Sequence, residues 1–261
     1  MRNIKLTIQY DGAAYIGWQS QPDFHGISIQ QTIERALKKV VGQKVEIFAS
    51  GRTDAGVSAL GQVANFQTMN IIPLERLQLA LNNALPTDIR ISNVQEMPAD
   101  FHARYSSISK TYCYTIDRSQ KINVFRGHWA WRVKDKLDLD VMRQVARLFL
   151  GEHDFKQFCA SGGSAKTSVR TIDSLKIIEG CYEKELPWLA LTNPVVIEIV
   201  GAGFLYKMVR FIVARLVAVA QGKLTYAEVE QLLHNQLTKP IKPAPAGGLI
   251  LKEVQYEKKY L

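Results

Sequence analysis

The sequence predicts an α+β protein of two domains with mixed, mainly antiparallel sheets, and three observations predict it. The first hundred residues alternate in hydrophobic period in the order β-α-β-β-α-β, the ferredoxin-like split βαβ pattern. The remainder mixes strand and helix signals with no repeat period. Charge also changes along the chain: residues 1–104 carry ten Lys/Arg against nine Asp/Glu, the rest 23 against 15, and the net charge is +9. The expected division is an N-terminal domain over 1–105 and a basic C-terminal domain over 106–261.

Each element has a local reason. Ile4, Leu6, Ile8 and Tyr10 alternate as a strand, and Asp11-Gly12 begins a turn. Ser28 followed by Gln31 is a capping box that opens a helix lined by Ile29, Ile33, Leu37 and Val40, with Gly42 as its stop. Strands are expected at 44–50 and 62–67. Pro73 suits a first helical position, Leu74, Leu77 and Leu81 form a face, Pro86 ends that helix, and Ile89 and Ile91 begin a strand. In the second half the pattern predicts strands at 110–117, 127–133, 171–179, 195–200 and 248–256. Helices are predicted at 138–150, 204–221 and 225–234, with Ser/Gly- and Pro/Gly-rich loops at 160–168 and 238–248.

Composition excludes several classes of function. The N-terminus, Met1-Arg2-Asn3-Ile4-Lys5, lacks the apolar run of a signal peptide. Three widely spaced cysteines (Cys113, Cys159, Cys181) without a CxxC pair point to a reduced cytosol and away from a disulfide framework or zinc site. The longest apolar stretch, 203–220, holds Lys207, Arg210 and Arg215, which argues for a buried helix and against a membrane span. The basic excess of the second half fits a solvated surface or a phosphate-gripping face equally well.

The residues with chemical potential begin with the loop Gly51-Arg52-Thr53-Asp54-Ala55-Gly56. A carboxylate flanked by glycines between two strands can be presented to a substrate as nucleophile or base, although the same spacing suits a turn residue bonding its own backbone. The loop lacks the Gly-Lys-Ser/Thr ending of a phosphate-binding P-loop and precedes a strand, so nucleoside-triphosphate binding is excluded. Gly201-x-Gly203 has Tyr206 where a dinucleotide fingerprint needs its third glycine. Arg210 lies in a helix that is apolar on most faces, where a guanidinium is costly unless it meets a carboxylate or anion; Arg215 is a rival for that role. Aimed at Asp54, Arg210 would keep the carboxylate ionised. Tyr112 and Tyr114, two apart in a strand, share a face and fit either core or a base-stacking platform. Between Lys110 and Lys136 seven Lys/Arg stand against two Asp, which favours a nucleic-acid partner. His102 reads as a hydrogen-bonded residue and not as a catalyst.

Seven blocks carry a family resemblance: Tyr10-Asp11-Gly12…Gly17-Trp18-Gln19, Ser50–Val57, Gly61-Gln62-Val63, Ala80-Leu81-Asn82 with Leu85–Ile89, Phe101–Arg104, Gly151–Phe155 and Gly201–Arg210. In them the chain closely resembles the tRNA pseudouridine synthase A family. Ser58 and Ala13 depart from the residues many relatives have there, His and Thr. The resemblance implies a two-domain homodimer that isomerises uridine to pseudouridine at positions 38, 39 and 40 in the anticodon stem-loop of tRNA, with no cofactor and no metal. It implies Asp54 as nucleophile, Arg52 helping to extrude the target nucleotide, Tyr112 stacking on the uracil, and Arg210 pairing with Asp54. It also implies a cytoplasmic, tRNA-bound working life with no membrane. Two other readings share the same charge pattern. One is a non-catalytic RNA-binding module, which would not need the Arg52/Asp54/Arg210 set. The other is a nucleoside hydrolase, which needs a second carboxylate such as Asp11 or Asp154.

Overall fold

The computed structural model describes residues 1–19, 26–120, 127–180 and 193–260. It is α+β, with two compact units: Met1–Lys110 together with Ile250–Leu261, and Thr111–Leu249.

In the first unit β1 (Arg2–Tyr10), α1 (Ile29–Val41), β2 (Phe48–Ala49), β3 (Ser58–Thr68), α2 (Leu74–Ala84) and β4 (Ile89–Met97) follow in the expected order. The strands lie β4-β1-β3 with β2 on β3, every neighbouring pair antiparallel. This is the split βαβ arrangement. The capping box at Ser28 and Gln31 forms, and Gly42 ends α1 in the left-handed conformation at φ 77°. Ile29, Ile33 and Leu37 of α1 are fully enclosed, as are the sheet residues Ile4, Leu6 and Ile8. Val40 is only half-buried, and Ala36 and Val41 complete the apolar face.

The strand expected over 44–50 is real only at Phe48–Ala49, and β3 starts at Ser58 instead of 62. β3 is long enough to hold two partners along the same edge. β2 pairs at Asn65 and Ala64, while β10 (Leu249–Tyr256) pairs in parallel at Ser58 and Ala59 through Ile250 and Leu251. The end of the chain then closes the unit from below: Val63, Phe101, Ala103, Tyr256 and Tyr260 form a cluster, and Lys5 Nζ donates to the Tyr260 carbonyl at 3.0 Å.

The second unit contains most of β5 (Ser107–Asp117), then β6 (Trp131–Arg132), α3 (Leu139–Ala146), β7 (Gly151–Asp154), β8 (Val169–Glu179), β9 (Pro194–Gly201), α4 (Met208–Ala220) and α5 (Tyr226–Leu233). Its strands lie β5-β9-β8-β7, with β6 on β5. The strand expected over 127–133 contracts to the two residues of β6. The helix expected over 138–150 runs only to Ala146 before a 3₁₀ turn, and β7 was not anticipated. The helix expected from 204 begins at Met208 because Lys207 sits in the left-handed region at φ 60°, which a helix cannot pass through. α4 is buried on nearly all faces, as an apolar helix must be.

Candidate active site

The Asp54 loop is held from beneath by the turn that follows β1. Tyr10 Oη and Thr53 Oγ1 lie 2.8 Å apart in a hydrogen bond, and the Trp18 N–H donates to the Thr53 carbonyl at 3.0 Å. Burial and loss of water push the Tyr10 phenol up to about 12, so it stays a neutral hydroxyl. Gly17, at φ 105°, lets the two backbones meet, since a Cβ there would lie 2.7 Å from the Thr53 carbonyl oxygen. Gln62 fixes the other end. Its Nε2 donates to the Gly51 carbonyl at 2.9 Å, while its Oε1 accepts from Ser50 Oγ at 2.7 Å. The Val57 N–H closes the turn onto the Asp54 carbonyl at 3.1 Å.

The side chains so held point to different fates. Thr53 is buried, Asp54 is half-exposed and Arg52 is exposed. A fixed backbone with an accessible carboxylate is what a nucleophile or base requires. The residue that departs from the family pattern, Ser58, serves this scaffold as well: its hydroxyl accepts from the Gly12 N–H at 3.0 Å. Asp11, one candidate for a second carboxylate, accepts from the Ala13 N–H at 3.0 Å within its own turn. Asp154, the other, accepts from Lys156 N–H and from Asn235 Nδ2 inside the second unit. Both carboxylates have structural work, which disfavours a two-carboxylate hydrolase.

The second unit carries Tyr112 and Arg210. Both tyrosines of β5 are buried, Tyr112 at 7% exposed. Tyr114 is fully buried and donates to the Pro245 carbonyl at 2.8 Å. Tyr112 packs edge-on against Phe204, ring centroids 5.2 Å apart at 87°. Arg210 is clasped twice by one residue of the Pro/Gly-rich loop: its Nε donates to the Ala244 carbonyl at 2.7 Å, and its own carbonyl accepts from the Ala244 N–H at 3.0 Å. That clasp fixes the direction of the guanidinium. Arg215 has a different environment. It is 3% exposed, lies 4.5 Å from the Phe158 ring, and burial lowers its pKa to about 10. It is enclosed within its own unit.

Sequence reasoning missed the supports. Tyr10, Gly17 and Trp18 stood out as a motif but not as the bed of the Asp54 loop, and nothing local connects Ala244 to Arg210. Among the described residues no cluster of His, Cys, Asp and Glu could hold a metal ion. No helix there is long and apolar enough to cross a membrane.

The family model described as tRNA pseudouridine synthase matches residues 6–106 and 145–257, covering both the Asp54 loop and Arg210. The chain belongs to the tRNA pseudouridine synthase family. Proteins of this family isomerise uridine to pseudouridine in tRNA. The chain is 46% identical over 257 residues to tRNA pseudouridine synthase A of Acetivibrio thermocellus, covering 98% of this chain and 100% of that one. It is 44% identical to tRNA pseudouridine synthase A 2 of Clostridium perfringens, again over 98% and 100%. Among solved structures, the archaeal box H/ACA sRNP Nop10-Cbf5 complex shows a faint likeness, at TM-score 0.38 and 10% identity over 88% of this chain and 54% of that one.

Proposed function

We propose that this synthase isomerises uridine to pseudouridine at positions 38, 39 and 40 of the tRNA anticodon stem-loop, with Asp54 as nucleophile. The observation that carries the reading is a half-exposed carboxylate on a loop whose backbone is tied down on both sides. A uracil within a stem is out of reach of any side chain, so it must leave the stack first. Arg52, exposed beside Asp54, is the residue we assign to extrusion. Tyr112 is assigned to stacking on the freed uracil, and stacking offsets part of the unstacking cost of a few kcal/mol. Arg210 is assigned to pairing with Asp54, keeping it ionised and aligned.

The reaction is an isomerisation and needs no outside reagent. The N1–C1′ bond breaks, the base turns, and a C5–C1′ bond forms. C5 then loses its proton and N1 ends protonated. The Asp54 carboxylate attacks at C6 of the base or C1′ of the ribose, forming an adduct that is released in the last step. The basic face of Thr111–Leu249 is assigned to the RNA backbone, and the working unit is assigned as a cytoplasmic homodimer.

Incubation of the pure protein with an unmodified tRNA transcript and no additive, followed by mapping of pseudouridine by position, tests the assignment. Product at 38, 39 and 40 supports it; product confined to another stem removes the anticodon specificity.

A further inference from the structure

The first unit exposes a row of rings close to the Asp54 loop that the catalytic reading does not use. Phe48, on β2, lies 5.4 Å from the His102 ring, and His102 lies 4.5 Å from Tyr105. The Arg104 guanidinium sits over Tyr105 at 5.6 Å from the ring centre. The outer rings face solvent, Phe48 at 41% and Tyr105 at 76% exposed. A Tyr so exposed gains little from its own fold, and an exposed aromatic row with a guanidinium at its end is the composition of a base-stacking platform.

Two details point to a nucleotide. His102 is locked in place, because its Nδ1 accepts from the Arg104 N–H at 3.1 Å and its own N–H donates to Ser106 Oγ at 3.1 Å. Lys110 is 8% exposed and donates to Ser107 Oγ at 3.0 Å; its pKa is lowered first by burial and then by the like charge of Arg104. A buried ammonium in the field of a like charge calls for an anion. The row is also near the chemistry. Arg52 lies four positions on from Phe48, a span of at most about 14 Å. Lys110 passes under the loop itself, with its Cε 3.4 Å from where a Cβ on Gly51 would stand.

We propose that Phe48, His102 and Tyr105 stack one unpaired base of the tRNA loop, with Arg104 and Lys110 gripping the phosphate beside it. The inference rests on the tRNA reading above and adds a recognition site outside the Asp54 loop. The unpaired base is the feature that separates a loop from a duplex, so this contact would supply preference for targets next to a loop.

The test uses the full protein and transcripts bearing 2-aminopurine at single loop positions. Tyr105→Ala is expected to raise KM for the transcript about tenfold while leaving kcat unchanged, and to abolish the fluorescence quench at one loop position. Tyr105→Phe is expected to behave as wild type. The double change Arg104→Gln, Lys110→Met is expected to lower the slope of log affinity against log salt by about two. Unchanged KM and quench in Tyr105→Ala would overturn the proposal. So would a shift in sedimentation with RNA affinity intact, which would assign the row to a second copy of the chain. Wild-type protein that makes no pseudouridine in the transcript would sink the functional reading itself, which turnover by wild type keeps distinct.

Discussion

The hydroxyls of Tyr10 and Thr53 share a buried hydrogen bond of 2.8 Å, and through it the first strand of the chain sets the position of its neighbour Asp54. Tyr10→Phe keeps the ring and removes only that bond. The expected cost is about 1 kcal/mol of stability. Misplacement of the carboxylate should also lower kcat at unchanged KM. Urea melts and steady-state kinetics on a transcript check both, and unaltered kcat would show that Thr53 holds without Tyr10.

Gly17→Ala attacks the same bed from the backbone side. The new methyl would stand 2.7 Å from the Thr53 carbonyl oxygen, at a φ of 105° that alanine rarely adopts. Destabilisation of about 2 kcal/mol or more is expected, with turnover falling further than stability alone explains. Gly42→Ala is the control, because its φ of 77° is also left-handed but a Cβ there meets nothing within 4 Å. A control as inactive as Gly17→Ala would locate the effect in strain, away from the loop.

Asp54→Asn should bind tRNA yet form no pseudouridine, since an amide is not nucleophilic. Filter binding and position mapping on the same preparation read the two halves. Turnover by this variant would remove Asp54 from the chemistry. Affinity in both proteins should fall steeply with salt as phosphate contacts release counterions, and a flat response would contradict an RNA face.

Arg210→Lys preserves charge and discards the Nε that donates to the Ala244 carbonyl. If direction matters as much as sign, kcat drops by about a hundredfold with transcript affinity unchanged. Full activity in the lysine variant would mean that a positive charge alone suffices.

Lys110 supplies a pH test of the fold. Burial lowers its pKa to about 8, from an ordinary 10.5. Between those two values the unfolded chain binds more protons than the folded one, so stability rises with pH across that window. Below pH 8 the cost of the buried charge is fully present, at most about 3 kcal/mol. Lys110→Met should therefore be more stable than wild type at pH 7, with the advantage shrinking towards pH 10. Denaturant midpoints at the two pH values check it; a difference that does not change with pH would mean that Lys110 titrates normally.

How much of this the chain declared in advance depends on distance along it. The capping box at Ser28 and the stop at Gly42 are decided by contacts three or four residues apart, and α1 matched. The split βαβ order was legible for the same reason. The strand at 44–50 was overread because Val45, Ile47 and Ala49 alternate correctly, yet only Phe48 and Ala49 pair with β3, at Asn65 and Ala64. The start of α4 was misplaced because nothing in Phe204-Leu205-Tyr206 forbids a helix; the left-handed Lys207 does. Among the candidate site residues, the sequence marks Asp54 as a carboxylate between glycines and Arg210 as a cation among apolar residues. Their supports, Thr53 with Tyr10 and Ala244 with Arg210, join residues 43 and 34 apart in the chain, where local patterns carry no signal.

The shared edge of β3 also sets an order of events. Ser58 and Ala59, just past the Asp54 loop, pair on one edge of β3 with Ile250 and Leu251, far along the sequence. During synthesis every residue of the loop exists long before the strand that seals it. The seam beside the Asp54 loop is thus completed only once β10 has been made, and a chain lacking β10 would leave Ser58 and Ala59 without that neighbour.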